Sequence, residues 1–342
     1  GRKWGEAKHV FSIARDYEQL WLAPMVSRVA VIYDMDNIFS WQAQPQSTAF
    51  DFSNETHRLY QPFWRNGISI DIFSSGRLGE VSLSSNYDVI LLPAPLMLSD
   101  ELYSEIESFV LEKGGSLWVG FRADIKVATN NQMRTDPSRL AALAGVVVNE
   151  FESLNIGMPN AQLKMASNSS ITASGYVWRD GLKIRNDVSN ETESVWDYAD
   201  PEFFGGLGLS AVTRRQLSNG GEVVYVGTGI DPELLVPLAT KTLVRQGLFI
   251  PDDVVGPPSV EQIVRNDLLN NSWTIKINYA GESVTVGSLE IPPYGVVVEP
   301  TTSSSSLSVK STIDSATRPK AEGILIMFTS TLAIIIFATL LA

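Results

Sequence analysis

The feature that most constrains the fold is a series of apolar, β-branched runs in residues 28–155, separated by helical segments. Residues 28–34 (RVAVIYD) are typical of a strand buried on both faces of a parallel sheet. Similar runs occupy residues 68–73, 87–95 and 116–123. The order strand, helix, strand, strand, helix, strand predicts an α/β fold, with a flavodoxin-like or amidotransferase-like three-layer domain.

Helix signals separate these strands. Residues 55–67 have a helical pattern, and Gly67 is suited to end that helix. Ser99 precedes Asp100 and Glu101 as an N-cap, and the helix that it opens should end at Gly114-Gly115. Together these signals place helices between the strands, as crossovers in a parallel sheet require.

Residues 156–250 are expected to complete the same domain, which we place at residues 28–250. A strand is predicted at 183–189, and the segments on either side of Ser218-Asn219-Gly220-Gly221 predict a β-hairpin. A helix should follow from Pro232 to Gln246. After a Pro- and Asp-rich linker, short alternating segments predict a small antiparallel β-sandwich domain within residues 251–300.

The two ends of the chain suggest a longer, membrane-attached protein. Residues 1–27 begin within an amphipathic helix and contain no signal peptide, as expected for a helix and linker cut from a preceding domain. Residues 324–342 are apolar, and as a helix they would rise about 28 Å, close to the thickness of a bilayer core. This hydrophobic helix follows a Ser/Thr-rich spacer at 301–323. The pattern predicts a glycolipid-anchor signal, with attachment near Ser311 or Asp314, or alternatively a plain membrane span.

Four N-x-Ser/Thr sequons support a secretory route and an extracellular, cell-surface location. This motif arises often by chance and gains meaning only together with the apolar tail. The candidate glycosylation sites are Asn54, Asn168, Asn190 and Asn270.

Composition excludes several classes of function. The net charge is −12, without a basic block interleaved with aromatic residues, which argues against a nucleic-acid partner. The chain has no cysteine and only two histidines, so we predict no thiolate or histidine metal site and no Cys-based or Ser-His-Asp catalysis. His57 is expected on the surface of a helix.

The turn after the first strand argues against a nucleotide or flavin cofactor. Residues 34–46 (DMDNIFSWQAQPQ) contain no glycine, whereas a phosphate-binding turn in this kind of sheet is glycine-rich. Asp34 and Asp36 are candidates for ligand contact at the end of the strand, although loop capping and turn formation are the simpler interpretation. Trp41 is the tryptophan that we would test as a sugar-stacking platform; the other seven are expected to pack in the core or at interfaces.

Several co-linear segments resemble the family 42 glycoside hydrolases, the β-galactosidases. They are RVAVIYD…DN at 28–37, YDVILLPAPLMLSDE at 87–101, GGSLWVGFR at 114–122, LAALAGVVVNEFESL at 140–154, AVTRRQLSNGGEVVYVGTGIDPELL at 211–235 and IPPYGVVVEP at 291–300. The hydrophobic tail and the loop ADIKVATNN at 123–131 depart from that family.

This resemblance implies a middle α/β domain that mediates trimerisation, followed by a β domain, after a catalytic barrel. It further implies that both catalytic glutamates lie upstream, so that no catalytic residue is expected in this chain. The Asn149-Glu150 pair only superficially resembles the Asn-Glu pair at the family's acid/base and is not expected to be catalytic. The favoured function is the non-catalytic assembly portion of an enzyme that hydrolyses terminal β-D-galactosides, with a homotrimer as the full-length form. A catalytically inactive, surface-anchored carbohydrate-binding or adhesion protein is the alternative, and an independent α/β enzyme would need a nucleophile or phosphate loop that the sequence lacks.

Overall fold

The computed structural model describes residues 2–300 apart from 24, 26, 78–81, 130–131, 136, 249–258 and 288. The expected spacer, hydrophobic tail and anchor residues Ser311 and Asp314 therefore lie outside the described residues, as does the core of the expected linker. Contacts divide the chain into two units. One contains residues 26–255, and the other joins residues 1–25 to the residues from 256 onward.

The secondary structure alternates between helices and strands in the first half of the chain and is mostly β-structure afterwards. The α-helices are α1 (Arg2–Asp16), α2 (Glu18–Trp21), α3 (Met35–Ala43), α4 (Phe52–Trp64), α5 (Leu83–Asn86), α6 (Asp100–Leu111), α7 (Arg139–Leu143) and α8 (Val236–Arg245). The strands are β1 (Val29–Tyr33), β2 (Ile70–Ser74), β3 (Val89–Leu92), β4 (Met97–Leu98), β5 (Ser116–Gly120), β6 (Lys126–Val127), β7 (Val146–Ser153), β8 (Ala161–Met165), β9 (Asn168–Ile184), β10 (Thr192–Tyr198), β11 (Ser210–Gln216), β12 (Glu222–Val226), β13 (Thr228–Ile230), β14 (Val260–Asn266), β15 (Ser272–Asn278), β16 (Val284–Val286), β17 (Leu289–Ile291) and β18 (Val296–Pro300).

The larger unit is built on one mixed sheet. Five of its strands run parallel in the order β2-β1-β3-β5-β12. Because alternate side chains of a strand point to opposite faces, Val29 and Val31 of β1 pack with α4 and α8, whereas Ala30 and Ile32 pack with α5, α6 and α7. Helices therefore cover both faces of the central parallel strands, which explains why β1, β3, β5 and β12 are almost entirely buried.

An antiparallel extension continues the sheet beyond β12. Strand β11 pairs with β12 across the hairpin that the Ser-Asn-Gly-Gly turn predicted, and β10, β8, β9 and β13 follow. Strand β7 lies off this path and pairs with β9. The strand expected at 183–189 is wrong in its bounds, because β9 ends at Ile184 and residues Asn186–Val188 form a 3-10 turn.

Local sequence signals account for the helix ends. The Ser99 hydroxyl accepts a hydrogen bond from the Leu102 amide at 3.1 Å and so caps α6, as expected. Asp51 caps α4 in the same way through the Asn54 amide at 2.8 Å. Gly67, which follows α4, has a φ of +71°, a left-handed conformation that glycine adopts without strain.

In the smaller unit, helix α2 packs on a β-structure. Strands β14, β15 and β18 form an antiparallel sheet, and β16 pairs with β17 as a separate two-stranded ladder. Leu20 of α2 is buried with Ile275 and Ile277 of β15. A second apolar cluster joins Val260 of the sheet to Ile291 of the β16–β17 ladder.

Candidate functional site

The edge of the sheet at the carboxyl ends of the parallel strands is the first place to look for a ligand site. In open α/β sheets ligands bind in the crevice at this edge, where the strand order reverses. That reversal lies between β1 and β3 in this chain. Helix α3 begins directly after β1, and the Asp34 carboxylate caps it by accepting hydrogen bonds from the amides of Asp36 (2.8 Å) and Asn37 (3.4 Å). Asp34 is therefore a helix cap, and Asp36 is exposed on the first turn of α3.

Two side chains of α3 occupy the crevice itself. The Asn37 side chain donates to the Met97 carbonyl and accepts from the Met97 amide, each at 2.9 Å. Trp41 is only 2% exposed, donates to the Ala94 carbonyl at 3.0 Å and stacks on Phe50 with a centroid distance of 3.9 Å. The expectation that Trp41 is a sugar-stacking platform is wrong, because its ring is buried by its neighbours.

A buried carboxylate, Asp180, organises the adjoining part of the edge. It accepts hydrogen bonds from the Arg122 amide (2.8 Å), the Trp178 indole (2.7 Å) and the Tyr225 hydroxyl (2.9 Å). Burial raises the pKa of Asp180, although these donors and the charge of Arg122 oppose that effect. The Tyr198 hydroxyl also donates to the Asp180 carbonyl at 3.1 Å. This network fastens β9 to the ends of β5 and β12.

The loop after β5 closes over the edge through ion pairs. Asp124 is fully buried and pairs with Arg134 at 3.0 Å and Arg139 at 2.7 Å. The Lys126 ammonium reaches α3, where it donates to Ser40 at 3.3 Å and Gln44 at 3.0 Å, and burial lowers the pKa of Lys126. This loop therefore fastens α3 in place.

Backbone strain is concentrated at this edge. Ala94, Arg122, Asp124 and Val177 all have positive φ angles, and Val177 at +68° is β-branched, for which that conformation is a clear outlier. Ala94 and Val177 belong to the same buried cluster as Trp41. Strained residues persist only where the surrounding packing over-determines them, so the edge is a tightly specified structure.

The space left at this edge is small. Two cavities of about 10 Å³ each lie there, one beside Glu55 and Gly120 and the other beside Asp34 and Leu92. Each has room for about one water molecule, whereas pockets for small molecules measure roughly 300 Å³ or more. Glu55 is buried in α4 and pairs with Arg58 at 3.1 Å; burial raises its pKa to about 7.

The remaining residues singled out in the sequence lie apart from this edge. Glu150 is exposed on β7, and His57 is exposed on α4, as expected. Within the described ranges we find no group of three or more histidine, cysteine or acidic residues arranged to hold a metal ion.

All four sequon asparagines are exposed. Asn54 lies in the first turn of α4, Asn168 begins β9, Asn190 follows a 3-10 turn, and Asn270 adopts a φ of +63°. The Ser170 hydroxyl donates to the Asn168 side chain at 2.7 Å, so the asparagine and the hydroxyl of this sequon contact each other. Among the residues that the structure describes, no helix combines the length and apolar character needed to cross a bilayer.

Sequence reasoning missed the residues that define the edge. Asp180 and Arg122 are 58 positions apart along the chain, and Asp180 gives no local signal as a lone acidic residue in a turn-rich segment. The one available hint was that Arg122 follows a buried strand directly, at the end where parallel sheets place functional side chains.

Comparison with known proteins gives a consistent family. Residues 27–249 match the family model described as the β-galactosidase trimerisation domain. A β-galactosidase of a Planococcus species is 24% identical over 234 residues, which is 67% of this chain and 33% of that protein. A β-galactosidase of Clostridium cellulovorans is 26% identical over 290 residues, covering 80% of this chain and 40% of that protein. The chain thus spans about a third to two fifths of the length of these relatives.

Solved structures agree on the fold. The crystal structure of a β-galactosidase from Bacillus circulans sp. alkalophilus superimposes with a TM-score of 0.69 at 21% identity, covering 84% of this chain and 44% of that one. The β-galactosidase of the haloarchaeon Halorubrum lacusprofundi gives a TM-score of 0.64 at 22% identity, covering 83% of this chain and 42% of that one. Since the family model covers well over half of the sequence, the chain belongs to the β-galactosidase trimerisation-domain family.

Proposed function

We propose that this chain is the assembly portion of a β-galactosidase, an enzyme that hydrolyses terminal β-D-galactosides in carbohydrate metabolism. The match of residues 27–249 to the trimerisation-domain model carries this proposal. The edge that would hold a ligand in a doubly wound sheet is occupied by Asn37, Trp41 and the Asp180 network, which supports a structural role for the larger unit.

The order of the parallel strands supports a finer classification. The sequence β2-β1-β3-β5-β12 corresponds to strands 2-1-3-4-5 of the parallel set, the order used by flavodoxin-like sheets. The larger unit would then be a flavodoxin-like scaffold with a helix, α3, in place of a phosphate-binding turn. Such re-use is common, because folds support functions that depend on the grafted site rather than on the sheet.

Catalysis is proposed to reside elsewhere in the enzyme. Retaining glycosidases use two carboxyl groups about 5–5.5 Å apart. Glu150 is exposed on β7, and we propose that it does not belong to such a pair of carboxyl groups. The purified chain should be inert towards a chromogenic β-galactoside, and turnover that disappears in Glu150→Gln or Glu55→Gln would contradict this assignment.

Light scattering on a longer protein tests the assembly role. The catalytic part of the Planococcus relative is joined to this chain, and the fusion is compared with one that lacks residues 26–255. The fusion with the whole chain should have the mass of three chains, and the fusion that lacks residues 26–255 should have the mass of one. A monomeric first fusion at micromolar concentration would show that this unit is not the assembly element.

Surface location is a separate proposal, which rests on the sequence and on the exposure of the sequons. The four exposed sequons and the apolar residues 324–342 support secretion followed by membrane attachment near Ser311 or Asp314. Deglycosylation of the protein from its native host should lower its mass, and a phosphatidylinositol-specific phospholipase should release it from membranes. An unchanged mass would contradict the secretory route, and retention after phospholipase would favour a membrane span.

A further inference from the structure

Two loops of the larger unit are fastened together beside β7. The Ser47 hydroxyl donates to the Leu154 carbonyl at 2.9 Å, and the Thr48 amide donates to the Asn155 side chain at 2.9 Å. The Ile156 amide in turn donates to the Thr48 hydroxyl at 3.0 Å. These cross-links hold residues 46–48 against the segment that follows β7, so the surface they form is preorganised.

Large apolar side chains are exposed on this surface. Phe151 is 59% exposed, Ile156 is 77% exposed and Met158 is 41% exposed. The Arg122 guanidinium lies 4.7 Å from the Phe151 ring centroid and 4.6 Å from that of Trp178, and it donates to Gln46 at 2.5 Å. We call Phe151, Ile156, Met158 and residues 46–48 the β7 surface.

Two of the segments that form the β7 surface carry no charge. Residues 37–50 and residues 153–163 contain no Asp, Glu, Lys or Arg, in a chain with 26 basic and 38 acidic residues. Depletion of charge combined with exposed Phe, Ile and Met is the composition found at the centre of protein–protein interfaces. Single exposed apolar residues need no explanation, whereas several of them on cross-linked segments that carry little charge do.

Strand β7 adds backbone groups to the same surface. In the described part of the chain it pairs with β9 alone, so its other side has no strand partner. An open edge of this kind can pair with another chain and is usually protected in monomeric proteins. The strand carries Glu150 and Glu152, but Glu152 is held by Arg179 on β9.

We propose that the β7 surface is the apolar centre of the contact with a second copy of this chain. This inference rests on the proposed assembly role, because the match to a trimerisation domain is what identifies the occupant as another copy. A stable contact buries roughly 800 Å² on each partner, so the surrounding polar residues would form its rim. In a closed ring of three, this surface would meet a different surface of the neighbouring copy.

Single-cysteine photo-crosslinking tests the inference directly, because the chain has no cysteine of its own. A benzophenone maleimide probe is attached to the full chain at Ile156→Cys, and the matched control carries it at Val244→Cys, a 65% exposed apolar position on α8. Irradiation of Ile156→Cys should give covalent dimers and trimers, whereas Val244→Cys should give only the background of the unlabelled chain. Equal yields at the two positions, or none at Ile156→Cys, would overturn the inference.

A second variant measures the energy of the contact. Ile156→Asp places a charge in the apolar centre and should weaken self-association about tenfold, the size expected for a residue at the centre of an interface. Val244→Asp should leave association unchanged, and unfolding curves verify that both variants fold. If the fusion with the catalytic part of the Planococcus relative forms a trimer that Ile156→Asp does not weaken, the β7 surface is excluded as the contact while the assembly role stands. If that fusion is monomeric without any substitution, both the assembly role and the β7 contact are contradicted.

Discussion

The carboxyl edge of the parallel strands and the β7 surface differ in where their chemistry points. At the edge, Asn37, Trp41 and Asp180 direct their polar atoms inward, and each finds partners within the domain. At the β7 surface, Phe151 and Ile156 direct apolar groups outward from a rigid support. This sheet therefore fills its usual ligand-binding edge with its own side chains, while the surface that we propose for recognition lies on an added antiparallel strand and the segment after it.

The largest effect is expected from removing the carboxylate at the centre of the edge. Asp180→Ala leaves three buried donors without an acceptor, together with the charge of Arg122, so the free energy of unfolding should fall by about 4 kcal/mol. Urea unfolding measures this loss. Glu150→Ala, an exposed acidic control on β7, should change stability by less than about 0.5 kcal/mol. Similar losses in the free energy of unfolding for the two variants would mean that the carboxyl edge and the β7 surface do not differ in their contribution to stability.

Asn37 provides the next largest effect. Asn37→Ala removes both hydrogen bonds to the Met97 backbone and leaves two buried polar groups unsatisfied, which should cost about 3 kcal/mol. The neighbouring Asp36→Ala removes an exposed carboxylate from the first turn of α3 and should cost less than about 1 kcal/mol. Urea unfolding compares the pair, and a loss below 1 kcal/mol for Asn37→Ala would mean that α3 is not anchored through this side chain.

Glu55 should give the edge a pH-dependent stability. Burial raises its folded pKa from 4.5 to about 7, so between these values the folded state binds more protons than the unfolded one. Stability contributed by the protonated form is therefore complete below pH 4.5, falls as the pH rises to about 7, and is lost above that. Arg58 and Asp51 are the charged groups that act on Glu55, and this pKa already contains their effects, so the free energy of unfolding should change by about 3 kcal/mol over this pH range. Unfolding curves recorded over this pH range should show that the free energy of unfolding depends less on pH in Glu55→Gln than in the parent chain. The same pH dependence in both would contradict the raised pKa of Glu55.

The smallest effect on stability is expected at the β7 surface. Ile156→Asp replaces a side chain that is mostly exposed, so the free energy of unfolding of the isolated chain should change by less than about 0.5 kcal/mol, even though association is weakened. Thermal unfolding at low protein concentration checks this. A loss of several kcal/mol would mean that Ile156 is a packing residue and that the two regions do not differ in kind.

Much of the larger unit was predictable from local patterns. The strands at residues 28–34 and 87–95, the Ser99 cap and the hairpin at Ser218-Asn219-Gly220-Gly221 are confirmed, because each depends on residues within a few positions of one another. The bounds of the strand expected at 183–189 were wrong, because pairing with β7 and β8 extends β9 over seventeen residues. Pairing of this kind depends on distant segments and leaves little trace in the local sequence.

Trp41 shows the same limit for the site. The sequence predicted that Trp41 lies in the turn after the first strand, whereas it lies in α3, and its burial depends on Phe50 and on the Ala94 carbonyl. The alternative weighed for Asp34, loop capping, was right in that its carboxylate binds nearby backbone amides, because such a cap is a local interaction. The cap begins helix α3, where the sequence predicted a turn.

Local sequence patterns were enough to predict the α/β class and the helix ends, and to show that no glycine-rich phosphate turn follows the first strand, since periodicity, capping and turn chemistry act over a few residues. The packing of distant segments settled that the carboxyl edge is filled and that Phe151, Ile156 and Met158 are exposed. The edge is filled by side chains from α3 and from strands far apart in the chain, and the segment after β7 is held by contacts with residues 46–48. Whether such side chains are buried is settled only when these segments pack.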